Sequence, residues 1–254
     1  MEQNFLHGTL RSHLLEAARE DVLKWCAAPN VSIGRFPSDQ YWLTIFNSTS
    51  RYEITENDAR LFLVTFRLAR TGTWNYAAVA KVIMDFRQPK YGVADPNNLI
   101  ESLAKALQEA DARNRSHISA ASKIAVFSWP NLCIFIWDTM ARRAARARRR
   151  IELENPGLLS QDDQVILRRG TASYPTYHSA CTVHFALENQ RQDFQTATAG
   201  LIDELRRREG PLSRSGNISD EFIARRLLDK LMFWEGQYLR TGELPDHIDC
   251  PPSP

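Results

Sequence analysis

A chain of 254 residues with 43% hydrophobic and 24% charged residues has ample material for a buried core. A formal net charge of +2 excludes a strongly polyanionic or polycationic chain, so any nucleic-acid affinity has to come from a local patch. The four cysteines, Cys26, Cys133, Cys181 and Cys250, form no C-x-x-C pair, so the sequence signals neither a zinc site nor a cysteine-ligated cluster, and no metal or cofactor is expected.

Residues 8–27 read as an amphipathic helix, with Leu10, Leu14, Leu15, Ala18, Val22 and Trp25 on one face. "NVSIGRFPSDQ" reads as loop, and "SDQYWLTIF" opens a short helix with Ser38 as cap. In "TENDARLFLVTFRLARTG", Thr55 and Asp58 form a capping-box start, and Arg70 and Gly72 mark the end. "TWNYAAVAKVIMDFRQ" is a further helix closed by Pro89. Asp95 caps the next helix, with Pro96 in its first position and Leu99, Leu103, Ala106, Leu107 and Ala110 as its apolar stripe.

"SKIAVFSWPNLCIFIWD", Ser122 to Asp138, is the most apolar stretch, broken by Ser128, Pro130 and Asn131 and too short to span a bilayer. Ser116 or Ser119 caps a helix that holds Lys123 and halts near Pro130. "NLCIFIW" reads as a buried irregular connection, and Asp138 as the cap of the next helix. Beyond it come a short helix in "LSQDDQVILRRG", one or two helices after Pro175, and a last helix after Ser219. No alternating β–α pattern, hairpin or 20–50-residue repeat is present. The expected class is therefore mainly α, a compact two-lobed helical bundle over residues 1–242. A disordered tail is expected over 243–254. The N-terminus lacks the features of a secretory peptide, and the expectation is a cytoplasmic, non-membrane protein.

Lys123 and Asp138 admit two readings. In one, they are a packed lysine and a helix cap. In the other, desolvation beside Ile124 and Phe127 makes the Lys123 amine a nucleophile, with Asp138 as its carboxylate at the mouth of one cleft. The segment "SKIAVFSWPNLCIFIWDTMARRA" resembles the core of the 8-oxoguanine DNA glycosylase-like branch of the helix-hairpin-helix DNA glycosylases, over roughly residues 95–150 and more loosely at "RRLLDKLMFW". The resemblance implies Lys123 as the nucleophile that attacks the sugar C1′ and forms a Schiff base, and Asp138 as the carboxylate that stabilises the developing charge. It also implies a lyase activity through β-elimination, a double-stranded DNA partner, and no metal. Two positions depart from the family pattern: "SHISAAS" stands where the glycine-rich hairpin belongs, and Met140 stands where a histidine often lies.

"ARRAARARRR" places six arginines in ten residues. Arg142, Arg146, Arg149 and Arg150 share one helix flank, with Arg143 beside them, and Ala141, Ala144 and Ala145 share another. The flank is either a phosphate-contacting ridge or a solvated face paired with Glu152 and Glu154. Arg115, Ser119 and Ser122 extend the candidate DNA contacts. Trp129, Trp137, Phe233 and Trp234 are candidates to stack on an extruded base. The six-residue spacing of His178 and His184 is not that of a zinc site, and adjacent Ser122 and Lys123 do not face each other on a helix. No nucleotide-binding or hydrolase motif is found. The alternative function is a catalytically inactive nucleic-acid-binding or protein-interaction subunit, such as one of a host-defence assembly.

Overall fold

A computed structural model describes residues 8–26, 32–33, 36–92, 95–208 and 218–244. The protein is mainly α, with eleven α-helices among the described residues, and none is long and apolar enough to cross a membrane. Of the tail expected to be disordered, residues 245–254 lie outside the described residues. The described chain divides into a terminal unit of residues 8–25, 137–208 and 220–244, and a middle unit drawn from residues 26–136 with 218–219.

The middle unit holds α2 (Asp39–Phe46), α3 (Glu56–Thr65), α4 (Tyr76–Phe86), α5 (Pro96–Glu109) and α6 (Ile118–Ser128). It also contains a two-residue antiparallel pair, Ser32–Ile33 with Phe36–Pro37, inside the stretch read as loop. Its core is aromatic: Phe62 lies 5.1 Å from Trp42, 5.0 Å from Phe46 and 6.3 Å from Phe127, joining α2, α3 and α6. The Thr55–Asp58 capping box forms as the sequence predicts. Asn75 caps α4 and Asp95 caps α5.

The end of α3 corrects the sequence reading. The helix stops at Thr65, not near Arg70 and Gly72, because Arg67 takes a left-handed conformation with φ 56°. The Leu68 amide then donates to the Leu63 carbonyl (2.7 Å) and the Arg67 amide to that of Val64 (3.0 Å). This is the Schellman arrangement, with arginine in the position that glycine usually occupies. The cap of α2 is also weaker than predicted, since the Ser38 side chain makes no capping hydrogen bond.

The terminal unit holds α1 (Gly8–Cys26), α7 (Thr139–Glu154), α8 (Gln161–Arg168), α9 (Tyr174–Glu188), α10 (Gln192–Arg207) and α11 (Asp220–Thr241). The small Ala141, Ala144 and Ala145 are buried, as the spacing predicts, and they let α7 lie close to its neighbours. The tightest approach is at Gly236 of α11, where a Cβ would fall 2.0 Å from the Met140 carbonyl oxygen.

A buried charge network runs through this unit. Arg148 of α7 is 1% exposed and donates from Nε (2.7 Å) and Nη2 (2.5 Å) to the two oxygens of Glu235 on α11, which is fully buried. Its Nη1 donates to Glu188 of α9 (2.7 Å), which also accepts from Arg11 of α1 (2.5 Å). Asp193 completes the shell around Arg11 (2.6 Å). Burial works to raise the Glu188 pKa, but Arg148 and Arg11 outweigh it and bring it down to about 2. Burial wins at Glu235, whose pKa is raised despite Arg148.

Candidate functional site

Lys123 lies on the second of two helices that pack on each other and are joined by Ala110–His117. No glycine sits in that connection, and its turn is built by other means. Asn114 takes the left-handed conformation (φ 51°) that its short polar side chain tolerates. The Asp111 carboxylate is buried and organises the rest. It accepts from the amides of Thr73 (2.6 Å) and Arg113 (3.1 Å), and its second oxygen lies 2.9 Å from His117 Nε2. Burial alone would raise the Asp111 pKa. The Arg113 and Thr73 amides, the His117 ring and the Arg115 amide together hold it well below the usual carboxylate range. The His117 ring also rests against Trp74, with centroids 4.1 Å apart, and the Ala112 amide reaches the Thr73 carbonyl (3.0 Å).

His117, rather than Ser116 or Ser119, occupies the cap position of α6, and it makes no capping bond there because its ring is held by Asp111. Residues 112–116 are exposed, Arg113 and Arg115 among them. Lys123 is 7% exposed, in a helix whose residues 120–128 are all buried. Its Nζ donates to Ser119 Oγ (3.0 Å), and Ser122 Oγ donates to the Ser119 carbonyl (3.1 Å). The structure therefore brings Ser119, Ser122 and Lys123 together on α6. Trp129 is held by packing: its Nε1 donates to the Phe86 carbonyl (3.0 Å), and its ring covers Gly92 so closely that a Cβ would meet it at 2.3 Å.

Asp138 belongs to the terminal unit, where its carboxylate caps α7 by accepting from the Met140 amide (2.8 Å), as predicted. Trp137 and Arg142 flank it. The Arg142 guanidinium lies over the Trp137 ring, 4.0 Å from its centroid, and that ring stands edge-on to Tyr177 at 5.2 Å. Burial and the nearby Arg146 charge lower the Arg142 pKa.

Along α7, Arg146 and Arg150 are exposed, while Arg142, Arg143 and Arg149 are half-buried. Among the described residues no acid pairs with Arg142, Arg143 or Arg146. Glu152 instead lies 2.8 Å from His184 Nδ1. Arg149 Nε donates to the Leu167 carbonyl. Phe233 and Trp234 are half-buried on α11 and meet edge-to-face with centroids 5.4 Å apart.

Sequence reasoning missed two features. Arg148 sits inside the run of surface arginines yet faces inward. The single signal for it is its place three positions beyond Ala145 and four beyond Ala144, on the alanine side of the helix. The Asp111–His117 pair was missed because its meaning depends on Thr73 and Trp74, which lie some forty residues earlier. Against family models, curated proteins and solved structures, the chain finds no match.

Proposed function

We propose that this protein is a DNA glycosylase of the helix-hairpin-helix type, acting on double-stranded DNA in the cytoplasm, with Lys123 as its amine nucleophile. The observation that carries the reading is the α5–hairpin–α6 arrangement with Lys123 on its second helix. An exposed loop carrying Arg113 and Arg115 is locked by Asp111 and leads directly into the helix that bears a nearly buried amine. The sequence resemblance lacks a glycine-rich hairpin. The Asn114 turn and the Asp111 anchor supply an ordered one by another route.

In the proposed reaction a flipped nucleotide presents its C1′ to the Lys123 Nζ. The C–N bond to the lysine forms as the glycosidic bond breaks, and that bond's electron pair leaves with the base. The departing base takes up a proton and the amine gives one up. Opening of the sugar then yields an imine, from which β-elimination of the 3′ phosphate follows. By the resemblance, Asp138 is the carboxylate that stabilises the positive charge. Arg142, Arg143 and Arg146, which no acid pairs with among the described residues, suit phosphate contacts, which give affinity without sequence information.

A second reading rests on the same two residues. Lys123 donates to Ser119, and Asp138 is engaged as a cap, so both have structural employment in a non-catalytic nucleic-acid-binding or protein-interaction subunit. Borohydride trapping separates the two. Duplexes carrying varied lesions or an abasic site are incubated with the protein and reduced. The enzyme reading predicts a covalent complex that Lys123→Ala abolishes. If nothing traps while DNA still binds with a steep salt dependence, the binding-subunit reading holds.

A further inference from the structure

The arginine flank of α7 does not stop at α7. Helix α8 is short and docked through Leu167, which is buried with Ala180, Val183 and Leu187 of α9. Its start is fixed by the Ser160–Asp163 capping box and its end by Gly170 (φ 84°), whose amide donates to the Leu167 carbonyl (3.1 Å). That same carbonyl accepts from Arg149 of α7. Arg168 and Arg169 are therefore one and two residues along the chain from the atom that α7 grips, held in the last turn of an ordered helix. Both are exposed, and among the described residues neither pairs with an acid.

Cations at a helix C-terminus interact favourably with its carbonyl end, which gives Arg168 and Arg169 a local reason to be there. That effect stays within α8. It does not relieve the repulsion among Arg142, Arg143 and Arg146, which stand three and four residues apart on α7 with no acid between them. A surface that gathers like charges this way is complemented by a polyanion.

We infer that Arg168 and Arg169 of α8 join Arg143 and Arg146 of α7 in one phosphate-tracking edge of the terminal unit, which holds the nucleic-acid backbone through charge independently of Lys123. The inference rests on the DNA-binding reading above and adds a second helix to it.

Fluorescence anisotropy of the full chain with a short undamaged duplex, across a series of KCl concentrations, tests it. Three proteins are compared: wild type, Arg168→Gln/Arg169→Gln, and Arg168→Lys/Arg169→Lys. Each lost phosphate contact lowers the slope of log Kd against log[KCl] by about 0.9, so the glutamine pair is expected to lose about 2 from the slope, while the lysine pair keeps it.

An unchanged slope in the glutamine pair overturns the α8 edge while leaving the DNA reading intact, provided wild type binds and traps. Equal losses in the lysine and glutamine pairs also overturn it, since charge is then not what matters. A wild type that neither binds nor traps removes the DNA reading and this edge together.

Discussion

Replacing Arg148 with methionine should destabilise the terminal unit severely. The substitution keeps most of the apolar stem and removes three charge-assisted hydrogen bonds, two to Glu235 and one to Glu188. Glu188 retains Arg11, but Glu235 is left fully buried without its ion-pair partner. A carboxyl of ordinary pKa 4.5 pays roughly 3 kcal/mol to be protonated at pH 7, at 1.36 kcal/mol per unit. That escape route limits the electrostatic loss. With the packing defect added, we expect a loss of about 3–5 kcal/mol, the range for breaking a buried pair.

The pH dependence carries the sign. Glu235 already has a raised folded pKa in the wild type, and losing Arg148 raises it further, so the variant's added cost is present at neutral pH and fades as pH falls towards 4.5. In the wild type Glu188 has a depressed folded pKa, so its contribution is complete above about 4.5 and is lost only as pH falls towards about 2. The gap between wild type and variant should therefore narrow as pH falls from 7 towards 4.5. Thermal and urea denaturation at several pH values measure it. Arg148→Met/Glu235→Leu should recover most of the loss. A loss below about 1 kcal/mol, or a gap that does not change with pH, would show that Arg148 does not neutralise a buried Glu235.

Three further outcomes are expected. Gly236→Ala should cost roughly 3 kcal/mol in denaturation, because a Cβ 2.0 Å from a backbone carbonyl outweighs the ~1 kcal/mol gain in helix propensity; a more stable variant would contradict the close approach of α7 and α11. Arg67→Gly should stabilise the chain by about 1 kcal/mol by relieving a left-handed arginine, whereas Arg67→Ala should not, and equal effects would contradict the assigned φ. Asp111→Ala should speed exchange of the Thr73 and Arg113 amides roughly tenfold or more, and unchanged exchange would remove Asp111 as the anchor of the α5–α6 connection.

What the sequence made legible was local. The Thr55–Asp58 box, the Asp95–Pro96 start, the Asp138 cap and the alanine face of α7 are decided by residues within a turn of each other, and each forms as predicted. The misreadings share a cause in distance. Arg148 reads as one more surface arginine because Glu188 and Glu235 lie 40 and 87 positions away. Ser116 and Ser119 read as caps because the claim of Asp111 on His117 depends on Thr73 and Trp74, contributed from another part of the chain. Arg70 and Gly72 read as the end of α3 because composition marks glycine as the stop, while the chain turns left-handed at an arginine five residues earlier. The turn between α5 and α6 was illegible for the same reason, since glycine is the signal for a left-handed position and Asn114 takes it instead.

The most direct test of Lys123 as the nucleophile is peptide mapping of the borohydride-reduced complex with abasic duplex. A single reduced adduct is expected on the peptide containing Lys123, lost in Lys123→Ala although that variant still binds the duplex. An adduct on any other amine, or none from a protein that binds DNA, would contradict it.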